Sequence, residues 1–494
     1  MMIHNWFDPN RNLPMWSLII SQITSRPLMA IMLGQVFFWS LWPAFLFSTP
    51  PLDVVENMFW GPQWEWGYYK HPPLQAWLTQ LAVMLGGPWV VYVMAQLCIT
   101  TTYAGIYWAG VILHGRALGI WAVVLSALGF YATIALVEFN ANVVSMPFWS
   151  LSMALGLLLT KCHDRWPWYG LAITFACALL AKYVALFLAL TLFLLLLIAP
   201  SSRRALATPH PYLALGLAFL LLSPHFFWLW ENEFAPIIYA QERASLMQGW
   251  EVLARPLKFI LAQLLDFILP ILVCLPAILF AKRRETHRPG PGWKSLFVAL
   301  GPILLLAAYA VITKGAPKDM WGGPATILAT LPLAHYLQQH QKWPLKKTAA
   351  YGVALVMLIL PLGLGLASKA SSFTDRPMRT AWPSQNMTNQ ILEELGPEQA
   401  KKITHLVGAT WDMGIIFIHW PYDVLPVVHG DLNINPWARE SWHNGTKLYL
   451  WTGQDNAYAG KLSFAASGKI LYQSKNSNGL SWGIASNSAL GKNP

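Results

Sequence analysis

Long apolar runs constrain this chain more than any motif in it. The hydrocarbon core of a bilayer is about 30 Å thick and takes roughly 20 apolar residues of helix to cross. Eleven runs of that quality lie near residues 28–47, 89–113, 117–137, 143–160, 166–181, 183–199, 211–230, 258–281, 295–313, 320–338 and 348–367. A further apolar piece at 73–86 is only about 14 residues long, which suits an interfacial or juxtamembrane helix. The expected fold class is therefore mainly α, a polytopic membrane protein with about 11 (11–13) transmembrane helices plus juxtamembrane helices. Composition agrees: 55% of the 494 residues are hydrophobic and 11% charged, against about 25% charged in a soluble domain. That balance excludes a disordered chain, a coiled coil and a soluble nucleic-acid binder.

Charge orients the chain. With residue 1 in the cytoplasm and eleven alternating spans, the basic clusters Arg11 and Arg26, Arg116, Lys161 and Arg165, Arg203 and Arg204, Lys282 to Lys294, and Lys342 to Lys347 all fall inside. The cytoplasmic side then carries a net +12, the outer side of the membrane part −3 and the remaining tail +2, which together make the formal +11 of the chain. This is the positive-inside pattern, and making 73–86 a full span would invert every later loop. The net charge thus marks orientation and gives no reason to expect a nucleic-acid partner. Residues 1–27 lack the apolar core and small-residue cleavage site of a signal peptide, so the first span is expected to act as the insertion signal.

After residue 368 apolar runs shorten and Asn, Ser and Gly rise. Ile415–Ile418 and Lys447–Trp451 are expected to be short strands. Residues 369–494 form an expected extracytoplasmic mixed α/β domain, long enough for a core of its own. Cys98, Cys162, Cys177 and Cys274 share no metal-type or paired spacing. No P-loop, dinucleotide glycine pattern, GxSxG elbow or HExxH is present.

Ionisable residues are densest in the first outer loop, PPLDVVENMFWGPQWEWGYYKHPP. Asp53 and Glu56 are three apart, which puts both carboxylates on one face of a helical turn. Tyr68, Tyr69, Lys70 and His71 follow before Pro72 and Pro73. Two readings remain open here: an aromatic interfacial belt with a snorkelling lysine, or a chemical site built on the carboxylate pair.

This segment resembles the polyprenyl-phosphate-sugar-dependent membrane glycosyltransferases of the GT-C fold. The likeness is to the protein O-mannosyltransferase-like branch, which includes the aminoarabinose and galacturonic acid transferases that modify lipid A. The acidic pair after the first span and the Lys70-His71-Pro72-Pro73-Leu74 element carry it, over roughly residues 28–368. The resemblance implies a catalytic membrane domain at 28–368 in the bacterial inner membrane, with a cytoplasmic N-terminus at 1–27 and a periplasmic soluble domain at 369–494. It implies transfer of a sugar from an undecaprenyl-phosphate-type donor to a lipid or glycan acceptor such as lipid A. Asp53 would be the base, Glu56 a second acidic partner and Lys70 a phosphate contact. A divalent cation is left open by the family, and no metal ligands are nominated.

Further residues are nominated by position. Glu138, Asn140 and Asn142 close the third span; relatives often carry a second aspartate where Asn142 stands, so Glu138 supplies that carboxylate or it is absent. The asparagines serve equally as helix caps. Lys182, between two long apolar runs, needs an anion or water and matches a lysine that relatives turn to the lipid phosphate. Arg243 and Arg255 are further donor-phosphate candidates with a solvated helix face as the alternative, and Lys318 is another, an outer-face lysine that runs against the positive-inside trend. His225, Asn232 and Tyr239 complete the expected substrate cavity, His225 ranking as a packing residue before a metal ligand. A flippase or transporter is the competing class and calls for midplane charges and inverted repeats; the charged residues here gather at one face instead.

Overall fold

The computed structural model describes residues 26–280, 292–339, 345–374, 376–453, 462–471 and 479–485. Most of the expected cytoplasmic segment 1–27, and the basic residues Lys282, Arg283, Arg284, Arg288 and Lys342, lie outside the described residues. Helices dominate, with one small sheet near the C-terminus. Among the described residues six helices are long and apolar enough to cross a membrane: Arg26–Leu46, Val90–His114, Ala141–Leu159, His210–Glu231, Gly292–Thr313 and Tyr351–Ser371. Two bent pairs raise the number to eight when each counts as one span. Ala185–Ile198 meets Pro200–Leu206 at 104°, and Glu251–Leu265 meets Ile268–Leu275 at 56°.

Two expected spans are broken. The run at 117–137 forms a helix only over Arg116–Ser126, then short 3-10 turns at Phe130–Ala132 and Ile134–Glu138. Hydroxyls take up carbonyls there: Ser126 donates to the Ala122 carbonyl at 2.8 Å and Thr133 to that of Gly129 at 2.9 Å. Such local bonds compete with a continuous helix. The run at 320–338 begins as a turn at Asp319–Trp321 and the short pieces Gly323–Thr326 and Ile327–Ala329 before Thr330–Gln339 becomes helical. Its Gly322-Gly323-Pro324 start has the poorest helix propensity of any triplet in the run.

The chain divides into two compact units. The first comprises the chain up to Ser40 with Val93–Phe226 and Ala240–Pro361. Within it, small residues let helices approach closely, the usual device where apolar burial gives no preference between lipid and protein. A Cβ on Gly301 would stand 2.4 Å from Thr191 of the Ala185–Ile198 helix, and one on Gly110 would stand 2.6 Å from Gly119. One buried amide pairs across helices: Gln35 donates to Gln96 at 3.0 Å and to the Ala132 carbonyl at 3.1 Å, which offsets its removal from water.

The second unit comprises Leu41–Tyr92, Phe227–Tyr239 and Leu362–Pro494. Its sheet contains β1 (Ile403–Gly408), β2 (Leu425–Val428), β3 (Thr446–Thr452), β4 (Ala466–Leu471) and β5 (Gly479–Ala485), in the order β2-β1-β3-β5-β4. β1 is parallel to both β2 and β3, while β5 is antiparallel to β3 and β4. Lys447–Trp451 lies in β3 as expected, but Ile415–Ile418 does not form a strand. Its first three residues end the helix Thr410–Phe417, the crossover between the parallel strands β1 and β2. A short apolar run buried on both sides carries no periodicity that separates strand from helix.

The C-terminal segment does not close its core alone. Leu406, Met413, Ile416, Val428, Leu448 and Leu450 pack in one cluster with Val55, Phe59, Trp60 and Tyr68 of the first loop. The short apolar piece at 73–86 is the helix Leu74–Gly86, preceded by Pro72 and Pro73 and ended at Gly87, whose φ of +90° a side chain would strain.

Candidate functional site

In the second unit the chemistry begins on the helix Leu52–Trp60, which starts directly after Pro50 and Pro51. Asp53 sits half-buried in its first turn and Glu56 is buried one turn later. The Lys70 ammonium donates to Glu56 Oε1 at 2.5 Å. It also stands 5.1 Å from the centre of the Tyr69 ring. Burial lifts the Glu56 carboxyl to about 7, against the opposing pull of Lys70 and with a smaller push from Asp53. Burial works against the charge of Lys70, yet Glu56 and Tyr69 together hold its pKa above the usual lysine value. The ammonium is the fixed charge of the pair, and the carboxylate is the member that titrates near neutrality.

The aromatic residues of this loop divide in role. Tyr68 is fully buried, stacks on Trp60 at 4.9 Å and donates its hydroxyl to the Trp60 carbonyl at 2.9 Å. That is a packing residue, walled off from any cavity. Tyr69 instead lies beside Lys70, with the ring of Tyr239 at 5.8 Å. His71 closes the loop by a two-way backbone pair with Tyr68, at 2.9 and 3.2 Å. Asn232 donates to the Trp228 carbonyl at 3.0 Å at the end of its helix. Glu65, which no motif singles out, accepts from the Trp228 indole at 2.8 Å, and burial raises its carboxyl.

In the first unit a buried lysine gathers polar groups. Lys182 ends the helix Trp166–Ala181 in an extended conformation and is 7% exposed. Its ammonium donates to Asn142 Oδ1, and to the Met320 carbonyl at 3.2 Å. Asn140 caps the helix Ala141–Leu159 by accepting from the backbone N–H groups of Asn142 at 3.0 Å and Val143 at 3.4 Å. The two asparagines thus divide the alternatives: Asn140 caps and Asn142 meets the lysine. Glu138 is half-buried at the end of its 3-10 turn. Lys318 is half-buried before the Asp319–Trp321 turn, whose Asp319 carbonyl accepts from Gln263 at 3.1 Å. His225 is fully buried with its Nε2 at 3.0 Å from the Tyr183 hydroxyl, the packing role ranked first for it. Arg243 is exposed, and Arg255 is exposed in a 3.2 Å pair with Glu251 one turn away.

Among the described residues no group of three His, Cys, Asp or Glu side chains is placed to hold a metal ion. The apolar cavity of about 190 Å³ between Trp168, Phe175, Leu192, Phe193 and Ala214 contains none of the charged candidates.

Comparison with known proteins agrees with the resemblance read from the first loop. Residues 70–228 match the family described as dolichyl-phosphate-mannose-protein mannosyltransferase. The lipid A galacturonosyltransferase RgtD of Rhizobium johnstonii is 24% identical over 313 residues, covering 59% of this chain and 61% of that protein. The chain therefore aligns with about three fifths of that relative's length. Among solved structures, ArnT from Cupriavidus metallidurans bound to undecaprenyl phosphate superimposes with a TM-score of 0.63 at 13% identity, over 97% of this chain and 100% of that one. The same protein in its apo state gives 0.60 over 97% and 99%. At that identity the likeness establishes the fold, which is that of ArnT.

Proposed function

From a chain that carries a dolichyl-phosphate-mannose-protein mannosyltransferase family domain on an ArnT-like fold, we infer an integral-membrane glycosyltransferase. It takes a sugar from an undecaprenyl-phosphate-type carrier and moves it to a lipid or glycan acceptor of the envelope, lipid A being the first candidate. The supporting names are those of RgtD, a lipid A galacturonosyltransferase, and of ArnT solved with undecaprenyl phosphate. The observation that carries the reading is the Glu56–Lys70 pair at 2.5 Å, one helical turn from Asp53 and directly before the Pro72-Pro73 helix start.

The chemistry asks little of the protein, because a sugar on a phosphate has its leaving group built in. The acceptor oxygen forms a bond to the anomeric carbon while the bond from that carbon to the phosphate oxygen breaks. The electron pair leaves with the polyprenyl phosphate. Asp53 takes the acceptor's proton as general base, and cations stabilise the departing phosphate. An ammonium has three donors; Glu56 takes one at Lys70, and a phosphate oxygen takes another. Lys182 is the second phosphate contact. The arrangement belongs to eleven spans with the N-terminus in the cytoplasm, a catalytic membrane domain at 28–368 and a periplasmic domain at 369–494.

The test is reconstitution of the purified protein in vesicles with a polyprenyl-phosphate-sugar extract and lipid A. The expected result is sugar on the acceptor with stoichiometric polyprenyl phosphate. Acceptor modified without release of polyprenyl phosphate would refute the donor assignment.

A further inference from the structure

The first outer loop holds a second arrangement, apart from the Glu56–Lys70 pair. Between Gly61 and Gly67 the chain reads GPQWEWG, and two of its indoles are exposed, Trp64 by 48% and Trp66 by 39%. Trp64 follows the 3-10 turn Gly61–Gln63 in the left-handed conformation, with φ 50° and ψ 30°. A bulky side chain reaches that region only at a cost.

The loop is held in this shape at both ends. A Cβ on Gly61 would stand 2.7 Å from that of Gln80 on the helix Leu74–Gly86, and one on Gly67 would stand 2.4 Å from the Trp228 ring. In the middle Glu65 is fixed twice. Its carbonyl accepts from the Trp77 indole at 2.9 Å, and its Oε2 accepts from the Trp228 indole at 2.8 Å. Trp66 stands edge-on to Trp77, with ring centres 4.7 Å apart. The strain at Trp64 thus persists because its neighbours enforce it, as at residues kept for what they present.

We propose that Trp64, Glu65 and Trp66 form a platform for the saccharide of the acceptor. A pyranose has an apolar C–H face and a rim of hydroxyls, so it suits an aromatic ring under the face and a carboxylate at the rim. The exposed indole of Trp64 supplies the ring. Glu65 supplies the carboxylate: of about four lone-pair sites the Trp228 indole takes one, and sugar hydroxyls make charge-assisted bonds to those that remain. A carboxylate between the rings also disfavours phosphate, which selects the acceptor's sugar over the one that arrives on a lipid phosphate. The alternative is an aromatic belt at headgroup level, which calls for neither the carboxylate nor a left-handed tryptophan. The inference rests on the reading of the chain as a glycosyltransferase with a sugar-bearing acceptor.

The test titrates the purified full chain, in phosphatidylcholine nanodiscs, with the saccharide of lipid A stripped of its acyl chains and phosphates. Saturation-transfer NMR reads that binding, and native mass spectrometry reads undecaprenyl phosphate as the donor-side control. Trp64→Gly is expected to weaken the saccharide about tenfold, the order of one aromatic contact, and Glu65→Gln about fivefold. Trp64→Phe keeps a ring and is expected to lose about twofold. All three are expected to bind undecaprenyl phosphate as the unaltered chain does. Glycine is at ease in the left-handed region, which offsets the freedom it adds to the unfolded chain. Trp64→Gly is therefore expected to keep its thermal midpoint.

Saccharide binding that is unchanged in Trp64→Gly, or lost together with undecaprenyl phosphate binding, overturns the platform. Unchanged saccharide binding with a lowered midpoint makes Trp64 a belt residue instead. Should Trp64→Gly fail to fold, Glu65→Gln decides alone, since glutamine still accepts from Trp228 but lacks the charge; full affinity in that variant overturns the platform. If the unaltered chain binds undecaprenyl phosphate and no saccharide, only this inference falls. If it binds neither, the reading of the chain as a polyprenyl-phosphate-dependent transferase falls with it.

Discussion

Two lysines of this molecule, the half-buried Lys70 and the buried Lys182, are held in different ways. Lys70 meets a carboxylate at 2.5 Å and the face of Tyr69, whereas the Lys182 contacts are the neutral oxygens of Asn142 and the Met320 carbonyl. The first ammonium is balanced where it stands. The second stands among the apolar helices Trp166–Ala181 and Ala185–Ile198, where an ammonium is costly to place. The difference teaches that a lysine taken from water is held either by a carboxylate or by neutral oxygens, so burial alone does not say what it binds.

The largest effect lies beside the balanced lysine. Asp53→Asn is expected to lower sugar transfer about 10³-fold, the middle of the range for a general base, while undecaprenyl phosphate binding and thermal stability stay as they were. Near-normal turnover would remove the base from Asp53. Next in size is the comparison of the lysines themselves. Lys182→Ala is expected to weaken undecaprenyl phosphate about 30-fold and Lys70→Ala about 10-fold, in line with roughly 1.5–3 kcal/mol for a charged hydrogen bond. The reverse order would show that the more deeply buried lysine is not the stronger phosphate contact.

A third prediction concerns pH. The folded Glu56 carboxyl is raised from 4.5 to about 7, so the folded protein keeps a proton that the unfolded chain releases. The stability this contributes is full below about pH 4.5 and is lost as pH rises through 7. Thermal unfolding in detergent is expected to show the midpoint falling between pH 5 and 8, with a smaller fall in Glu56→Gln. An unchanged slope in the variant would assign the titration elsewhere. The smallest effect belongs to the tie between the helix Thr410–Phe417 and the end of β3. Thr452→Val removes the hydroxyl that donates to Asp412 but keeps the backbone donor. It is expected to cost about 1 kcal/mol, seen as a midpoint lower by a few degrees, and no change would mean that the backbone bond alone secures the helix.

Much of this was legible in the sequence because it is local. Asp53, Glu56 and Lys70 fall within one short loop, and Pro72-Pro73 announces the helix Leu74–Gly86. Lys182 stands out by its isolation between apolar runs. What the sequence withholds is pairing at a distance. Nothing in the spacing tells that Glu56 meets Lys70, that Asn142 and not Asn140 meets Lys182, or that Gly414 comes against Val55 and Phe59 from the far end of the chain. Those contacts arise from helix packing, which depends on residues such as Gly414 whose importance shows only once a neighbour stands against it. The breaks after Ser126 and before Thr330 were hidden for a related reason: hydropathy sees an apolar run and is blind to hydroxyls and glycines that bend it.

The most direct measurement of the central claim is mass spectrometry of envelope lipids from cells that contain the protein, lack it, or carry Asp53→Asn. The account predicts that one lipid or glycan species loses the mass of a single sugar residue, identically in the cells without the protein and in the Asp53→Asn cells. Envelope lipids of the same mass in all three would contradict it.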